Sequence, residues 1–167
     1  MNYNLRIRAA TVDDAEAIAK LAAEFHAYLR KLGDASSFHF NASTYARDGF
    51  GENPAFLGLV AESDENIIGY LLLQFGYDTD QSRRLAYVDD LYVGESWRGH
   101  GVGKLLMTRA ADLARTHGAK ALWWGVHERN DSAFRFYESL GARYLKGIRF
   151  MSIDVDDLGS KHKDRLD

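Results

Sequence analysis

The stretch that most limits what this chain can become is YVDDLYVGESWRGHGVGKLL, from Tyr87 to Leu106. An apolar run with two adjacent aspartates leads into a loop with glycines at 99, 101 and 103, and the loop opens a helix. A strand that turns directly into a helix through glycines places backbone N–H groups around an anion, and the helix amino end adds positive potential there. Read blandly, the same glycines only make a tight turn.

Two familiar phosphate loops do not fit. A nucleotide-triphosphate loop needs four residues between its first glycine and a Gly-Lys pair, then Ser or Thr. Here Gly99 is one residue too close to Gly103 and Lys104, and Leu105 follows the lysine. A dinucleotide turn, G-x-G-x-x-G, fails as well: counted from Gly99 the sixth residue is Lys104, and from Gly101 it is Leu106. Where that turn needs an acid some twenty residues on, Trp123 and Trp124 stand. GESWRG is not a serine-hydrolase elbow, whose serine is centred between two glycines.

Around this stretch the periodicity predicts a mixed α/β chain. Leu5, Ile7 and Ala9 alternate as in a half-buried strand. A helix follows from about Thr11, its stripe formed by Val12, Ala15, Ile18, Ala22, Phe25 and Leu29, with Gly33 as its stop. NASTYARDGF suggests a second short helix. AFLGLVAES, NIIGYLLLQFGY and SRRLAYVDDLYV read as successive strands joined by turns at SDEN and DTDQ. GVGKLLMTRAADLARTHG is a helix with Val102, Leu106, Ala110 and Leu113 inward. Then come a strand, AKALWWGVHE, a short helix, NDSAFRFYESLGA, and one or two strands in RYLKGIRFMSIDV. One domain over 1–158 and a polar tail over 159–167 are expected.

Composition narrows the classes. The chain has 167 residues, 46% hydrophobic and 27% charged, with a net charge of −3 and no cysteine. Disulfides, thiolate metal sites and a cysteine nucleophile are therefore out. No Lys/Arg cluster points to nucleic acid. MNYNLRIRAA lacks an apolar stretch of signal-peptide length and no segment approaches a membrane span, so a cytoplasmic protein is expected. The six histidines, His26, His39, His100, His117, His127 and His162, show no metal-ligand spacing; no metal is expected.

Arg98, Gly101 and Gly103 match Arg/Gln-x-x-Gly-x-Gly/Ala, and NDSAFRFYESLGA supplies Asn130, Ala133, Phe136, Tyr137, Gly141 and Ala142 in a second motif. In this the chain resembles the GNAT superfamily of N-acetyltransferases. VDDLYVGESWRGHGVG is most similar to the diamine (spermidine/spermine-type) branch, with Trp97 in place of that branch's loop tyrosine. The resemblance implies a central mixed, largely antiparallel sheet that splays after the fourth strand, with helices on both faces. It implies acetyl-CoA as cosubstrate, its pyrophosphate held by Arg98, Gly99, His100, Gly101, Val102, Gly103 and Lys104. Pantetheine would lie along Leu91, Tyr92 and Val93, on a bulged strand, and Asn130, Ala133 and Tyr137 would touch the cofactor.

On the same resemblance Tyr137 is the general acid for the leaving thiolate. Its placement at a helix spacing of three, four and seven with Asn130 and Ala133 puts the three on one face. A tyrosine near pKa 10 stays protonated at neutral pH, which suits the task. Likeness to the diamine enzymes places the base at Asp89, acting directly or through water, where they carry glutamate. On a regular strand Asp89 and Asp90 face opposite sides, so one of them is expected to meet the amine. Read blandly, the pair only binds a cation. Trp124 is a candidate for the acceptor pocket. Without a cysteine, attack proceeds directly in a ternary complex.

The expected activity is acetyl transfer to a primary amine, a polyamine or similar small cation. Alternatives are a protein amino terminus or lysine as acceptor and, in another class, a CoA-binding regulatory module without chemistry. A homodimer paired through GIRFMSIDV is the expected assembly.

Overall fold

The computed structural model describes residues 4–156, which fall into two compact units, one reaching to Phe134 and the other starting at Arg135. The expected tail at 159–167 lies outside the described residues. The first unit holds a five-stranded sheet of β1 (Leu5–Ala9), β2 (Leu57–Ser63), β3 (Asn66–Asp78), β4 (Arg83–Val93) and β5 (Ala121–Trp124), in that spatial order. The first four strands pair antiparallel, whereas β5 runs parallel to β4. The parallel partner requires a crossover, and α3 (Val102–Thr116) provides it.

Strand parity decides which helix covers which face. Val60, Tyr70, Leu72 and Tyr92 form one buried cluster with Ile18, Leu21 and Ala22 of α1 (Ala15–Lys31) and Tyr45 of α2 (Ala42–Gly49). The alternate residues, Leu59, Leu71 and Leu73, are equally buried on the other face, against which α3 packs. Val102, Leu106, Ala110 and Ala114 recur every four residues along α3 and are all buried. Each fully buried Leu or Ile adds about 1.5–3 kcal/mol of apolar burial.

Local signals set the helix limits. Asn41 caps α2, its Oδ1 accepting from the amides of Ser43 at 3.0 Å and Thr44 at 3.1 Å. Asp14 closes the turn before α1 by accepting from the Thr11 amide at 2.7 Å. That turn, Val12–Asp14, is a 3-10 turn, which rotates Val12 out of the expected stripe and leaves it exposed. Leu113 is half-buried rather than inward. Asp64 and Glu65, both at positive φ, make the two-residue hairpin between β2 and β3.

In the second unit α4 (Asp131–Ser139) ends near Gly141, at φ 86°. The strands expected in RYLKGIRFMSIDV are absent among the described residues: 143–156 form no ladder, and Phe150 and Met151 are 76% and 96% exposed. Two-residue periodicity fits a strand but supplies no partner, and the described residues of this unit contain no other strand to pair with.

Candidate active site

The register between β3 and β4 breaks at one position. Leu73 opposes Val88 and Leu72 opposes Asp90, so Asp89 is the extra residue of a bulge. Directly opposed residues of an antiparallel pair share a face. Tyr87 thus shares the face of Gln74, Asp90 that of Leu72, and Tyr92 that of Tyr70, all on the α1 side. Val88 points to the α3 side with Leu73, so Asp89 turns back to the α1 side. The bulge replaces the alternation expected of a regular strand and puts both carboxylates on one face.

Their hydrogen bonds agree with this. Gln74 donates its Nε2 to Asp89 Oδ1 at 2.8 Å, and Tyr70 donates its hydroxyl to Asp90 Oδ2 at 2.9 Å. Gln74 and Tyr70 stand four residues apart on β3 and therefore share a face. Burial pushes the Asp89 carboxyl above the usual carboxylate value; the Gln74 bond opposes this and the Asp90 charge adds to it. Burial raises Asp90 too, against the Tyr70 bond. The Tyr70 phenol is itself driven well up by burial and then by Asp90, so it remains a donor.

One residue before the bulge, β4 loses its other partner. The pairing of β4 with β5 runs from Leu85 opposite Ala121 to Val88 opposite Trp124 and stops. From Asp89 to Val93 no described strand pairs with that edge of β4. Parallel partners in register share a face, which turns Trp123, with Tyr87, to the carboxylate side and Trp124, with Val88, to the α3 side. Leu91 and Val93 are half-buried and Tyr92 is buried. Tyr92 is a core residue by its side chain, stacked on Phe25 with ring centroids 5.4 Å apart.

The glycine loop follows. Gly99 and Gly101 hold φ of 78° and 82°, the left-handed region that L side chains avoid, and a Cβ on either would meet no atom within 4 Å. Gly101 caps α3 and brings no side chain to do so, which leaves the first-turn amides of Val102, Gly103 and Lys104 for a ligand. Lys104 is exposed on that turn. Arg98 Nε donates to the Val93 carbonyl at 3.1 Å, and the guanidinium lies 5.2 Å from the ring centroids of both Tyr28 and Tyr92. His100 Nδ1 is 2.9 Å from the Arg98 carbonyl, and its ring meets Trp97 edge-on.

Asn130 is buried at the start of α4, where its Oδ1 receives Tyr28 Oη at 2.9 Å, Ser132 Oγ at 3.0 Å and the Ala133 amide at 3.2 Å. With the oxygen committed, the amide nitrogen is what Asn130 offers a ligand. Ala133 is half-buried one turn on. Tyr137, in the second unit, is half-buried, with its ring 5.0 Å from that of Phe136 and its carbonyl accepting the Ala142 amide at 3.1 Å. Among the described residues no group of three His, Asp or Glu is placed to hold a metal, and no helix is long and apolar enough to cross a membrane.

Tyr28, Tyr70 and Gln74 are the site neighbours that the sequence reading passed over. Gln74 had a signal, since it is the polar interruption of YLLLQF. Tyr28 had a weaker one, three residues beyond Phe25 on the helix stripe.

Known proteins resemble this chain in sequence and in fold. Over 147 residues the chain is 33% identical to a thialysine N-epsilon-acetyltransferase of Bos taurus, covering 83% of this chain and 84% of that one. A spermidine/spermine N(1)-acetyltransferase-like protein of Homo sapiens is 29% identical over 149 residues, 85% of this chain and 21% of that protein. Among solved structures, an aminoglycoside N-acetyltransferase in complex with CoA superposes with a TM-score of 0.75 over 92% of this chain and 97% of that one; at 15% identity it shows the fold. Residues 16–142 match the acetyltransferase (GNAT) family, which spans the bulge, the glycine loop and α4 alike. The chain therefore belongs to the acetyltransferase (GNAT) family and is an acyltransferase.

Proposed function

We propose that this enzyme transfers the acetyl group of acetyl-CoA to the primary amine of a small cationic acceptor, a polyamine or an amino acid with an aminoalkyl side chain. The observation that carries this reading is the Asp89–Asp90 pair, two carboxylates turned to one face where β4 parts from β5. An ammonium group is the natural counter-charge to such a pair. The relatives named for thialysine and spermidine/spermine support an amine at the end of an alkyl chain.

The residues fit acetyl-CoA as cosubstrate. The open space above Gly99 and Gly101 and the first-turn amides of α3 suit a pyrophosphate, which the helix dipole favours. The unpaired edge of β4 suits an extended amide chain, taken up as a strand would be. When bound, acetyl-CoA supplies a thioester carbonyl open to attack.

In this scheme Asp90 holds the substrate ammonium while Tyr70 fixes its carboxylate. Asp89 takes the ammonium proton, directly or through water, and its raised pKa brings it nearer to the working pH. The freed nitrogen forms the N–C bond as the C–S bond breaks, Tyr137 gives its proton to the departing thiolate, and the proton that the nitrogen sheds on becoming an amide returns to the tyrosine through solvent. Attack is direct, in a ternary complex, because the chain has no cysteine to carry an acetyl group.

The test is a thiol-release assay over a panel of polyamines, lysine and ornithine analogues, and peptides with a free amino terminus or lysine. Release with alkylamines is expected. Turnover on peptides alone would move the acceptor to proteins. Tight acetyl-CoA binding without release for any amine would leave a binding module and overturn the enzymatic scheme.

A further inference from the structure

One side chain joins the two sides of the sheet opening, and neither the glycine motif nor the carboxylates account for it. Tyr28 lies half-buried on α1. Its hydroxyl donates to Asn130 Oδ1 at 2.9 Å and lies 3.2 Å from Ser132 Oγ, at the start of α4. Its ring carries the Arg98 guanidinium, which also rests on Tyr92 and donates Nε to the Val93 carbonyl at the end of β4. Tyr28 thus touches the β4 and glycine-loop side through its face, and the β5–α4 side through its edge.

Beyond Val88 and Trp124 no ladder among the described residues holds those two sides at a fixed separation. An opening that admits an extended cosubstrate must keep its width without strand pairing. A rigid ring with two torsions, bonded at one end and stacked at the other, does this at low entropic cost. Arg98 lies between two rings and a carbonyl, and so links this ring to the end of β4.

Resting on the acetyl-CoA reading above, we propose that Tyr28 is a positioning residue, a strut that sets the width of the cosubstrate opening by tying Arg98 to Asn130. It holds the walls and takes no part in proton transfer.

Two variants separate its two ends. Tyr28→Phe keeps the platform for Arg98 and loses both hydroxyl contacts; Tyr28→Leu loses everything. Steady-state kinetics would show the KM for acetyl-CoA raised about 3–10-fold in Tyr28→Phe and at least tenfold further in Tyr28→Leu, with kcat held within about twofold in Tyr28→Phe. Calorimetric titration with CoA itself, which needs no turnover, should show the same order of Kd. In a double-mutant cycle, Tyr28→Phe should add little once Asn130 is Ala.

Unchanged KM and Kd in Tyr28→Phe, or a loss confined to thermal stability, would overturn the strut. Equal losses in kcat and kcat/KM would overturn it too, since they belong to a group acting on the reacting atoms. Should Tyr28→Leu fail to fold, Tyr28→Phe and the cycle decide alone. A wild-type chain that binds no CoA would overturn the acetyl-CoA reading itself, and the strut with it.

Discussion

Asp89 and Asp90, neighbours in the chain, present their carboxylates to the same face of β4, one bonded to Gln74 and the other to Tyr70. A regular strand forbids this, and the bulge at Asp89 permits it. The cost is burial of two carboxylates, which raises the pKa of both, and the Asp90 charge adds to the rise at Asp89. In the proposed reaction a cationic amine offsets that cost by supplying the counter-charge.

The two aspartates should therefore separate in kinetics. Asp89→Asn, which removes the base, should lower kcat by about 10²–10⁴-fold with a modest change in KM for the amine. Asp90→Asn should chiefly raise that KM, because its carboxylate is fixed by Tyr70 and serves as an anchor. Steady-state rates on a diamine check this. The opposite pattern would move the base to Asp90.

The same pair sets a dependence of stability on pH. A carboxyl whose folded pKa lies above its ordinary value of 3.8 is bound to its proton more tightly in the folded chain. It adds nothing unfavourable at lower pH and subtracts stability as pH rises from 3.8 through the folded value. Asp90→Asn keeps an oxygen for Tyr70 and removes the charge. It should raise Tm at pH 7 by about 2–4 °C, the size of a 1 kcal/mol gain in a chain of this length. The gain should vanish near pH 3. A Tm lowered at pH 7 would show that the charged form is favoured in place.

Much of this was legible before the fold was seen, because the informative signals were local. The turn at Asp64, the stop at Gly33 and the loop glycines each need only their own backbone conformation, and all three lie where the periodicity placed them. What the sequence withheld depends on partners. The alternation in RYLKGIRFMSIDV is a strand pattern without a ladder. The face of Asp89 depends on which residue of β3 stands opposite, so a one-residue slip reversed the expectation. For Trp123 and Trp124 likewise, the register, set across strands, decides which of two neighbours looks at the carboxylates. Tyr28 could not be picked out, since its partners at 98 and 130 lie seventy and a hundred residues away.

Gly101 offers a test of the cradle that burial does not confound. Its φ of 82° costs an L residue about 1–2 kcal/mol, while a Cβ there meets nothing within 4 Å. Gly101→Ala should therefore lower stability by that amount and raise the KM for acetyl-CoA at least tenfold, as the capping backbone shifts away from the anion. Gly141→Ala, at φ 86° and equally open, serves as the control, with the stability loss alone expected. Equal KM values in the two variants would remove the pyrophosphate from the loop.

Tyr137 is tested through its hydroxyl. Tyr137→Phe keeps the ring against Phe136 and removes the proton meant for the thiolate. A fall in kcat of about 10²-fold or more is expected, with the Kd for acetyl-CoA changed less than threefold. A substrate that leaves as a more acidic thiol should narrow the gap between variant and wild type. Equal loss in kcat and affinity would make Tyr137 a packing residue.

The last prediction concerns the support of the site. Arg8 on β1 holds Asp14 with two bonds, at 2.7 and 2.8 Å, and reaches Glu62 at 2.8 Å. Asp14 is buried at the foot of α1, the helix that carries Tyr28. The Arg8 bond holds the Asp14 carboxyl below its ordinary 3.8, helped by the Thr11 amide. A depressed folded pKa gives stability that is present above 3.8 and is lost as pH falls through the folded value. Arg8→Met strands a buried carboxylate and should cost about 3 kcal/mol at pH 7 by urea denaturation. As the pH falls below 3.8 the stranded group takes up its proton and the difference should shrink. A loss of the same size at pH 7 and pH 3 would assign it to the arginine's packed stem instead of its charge.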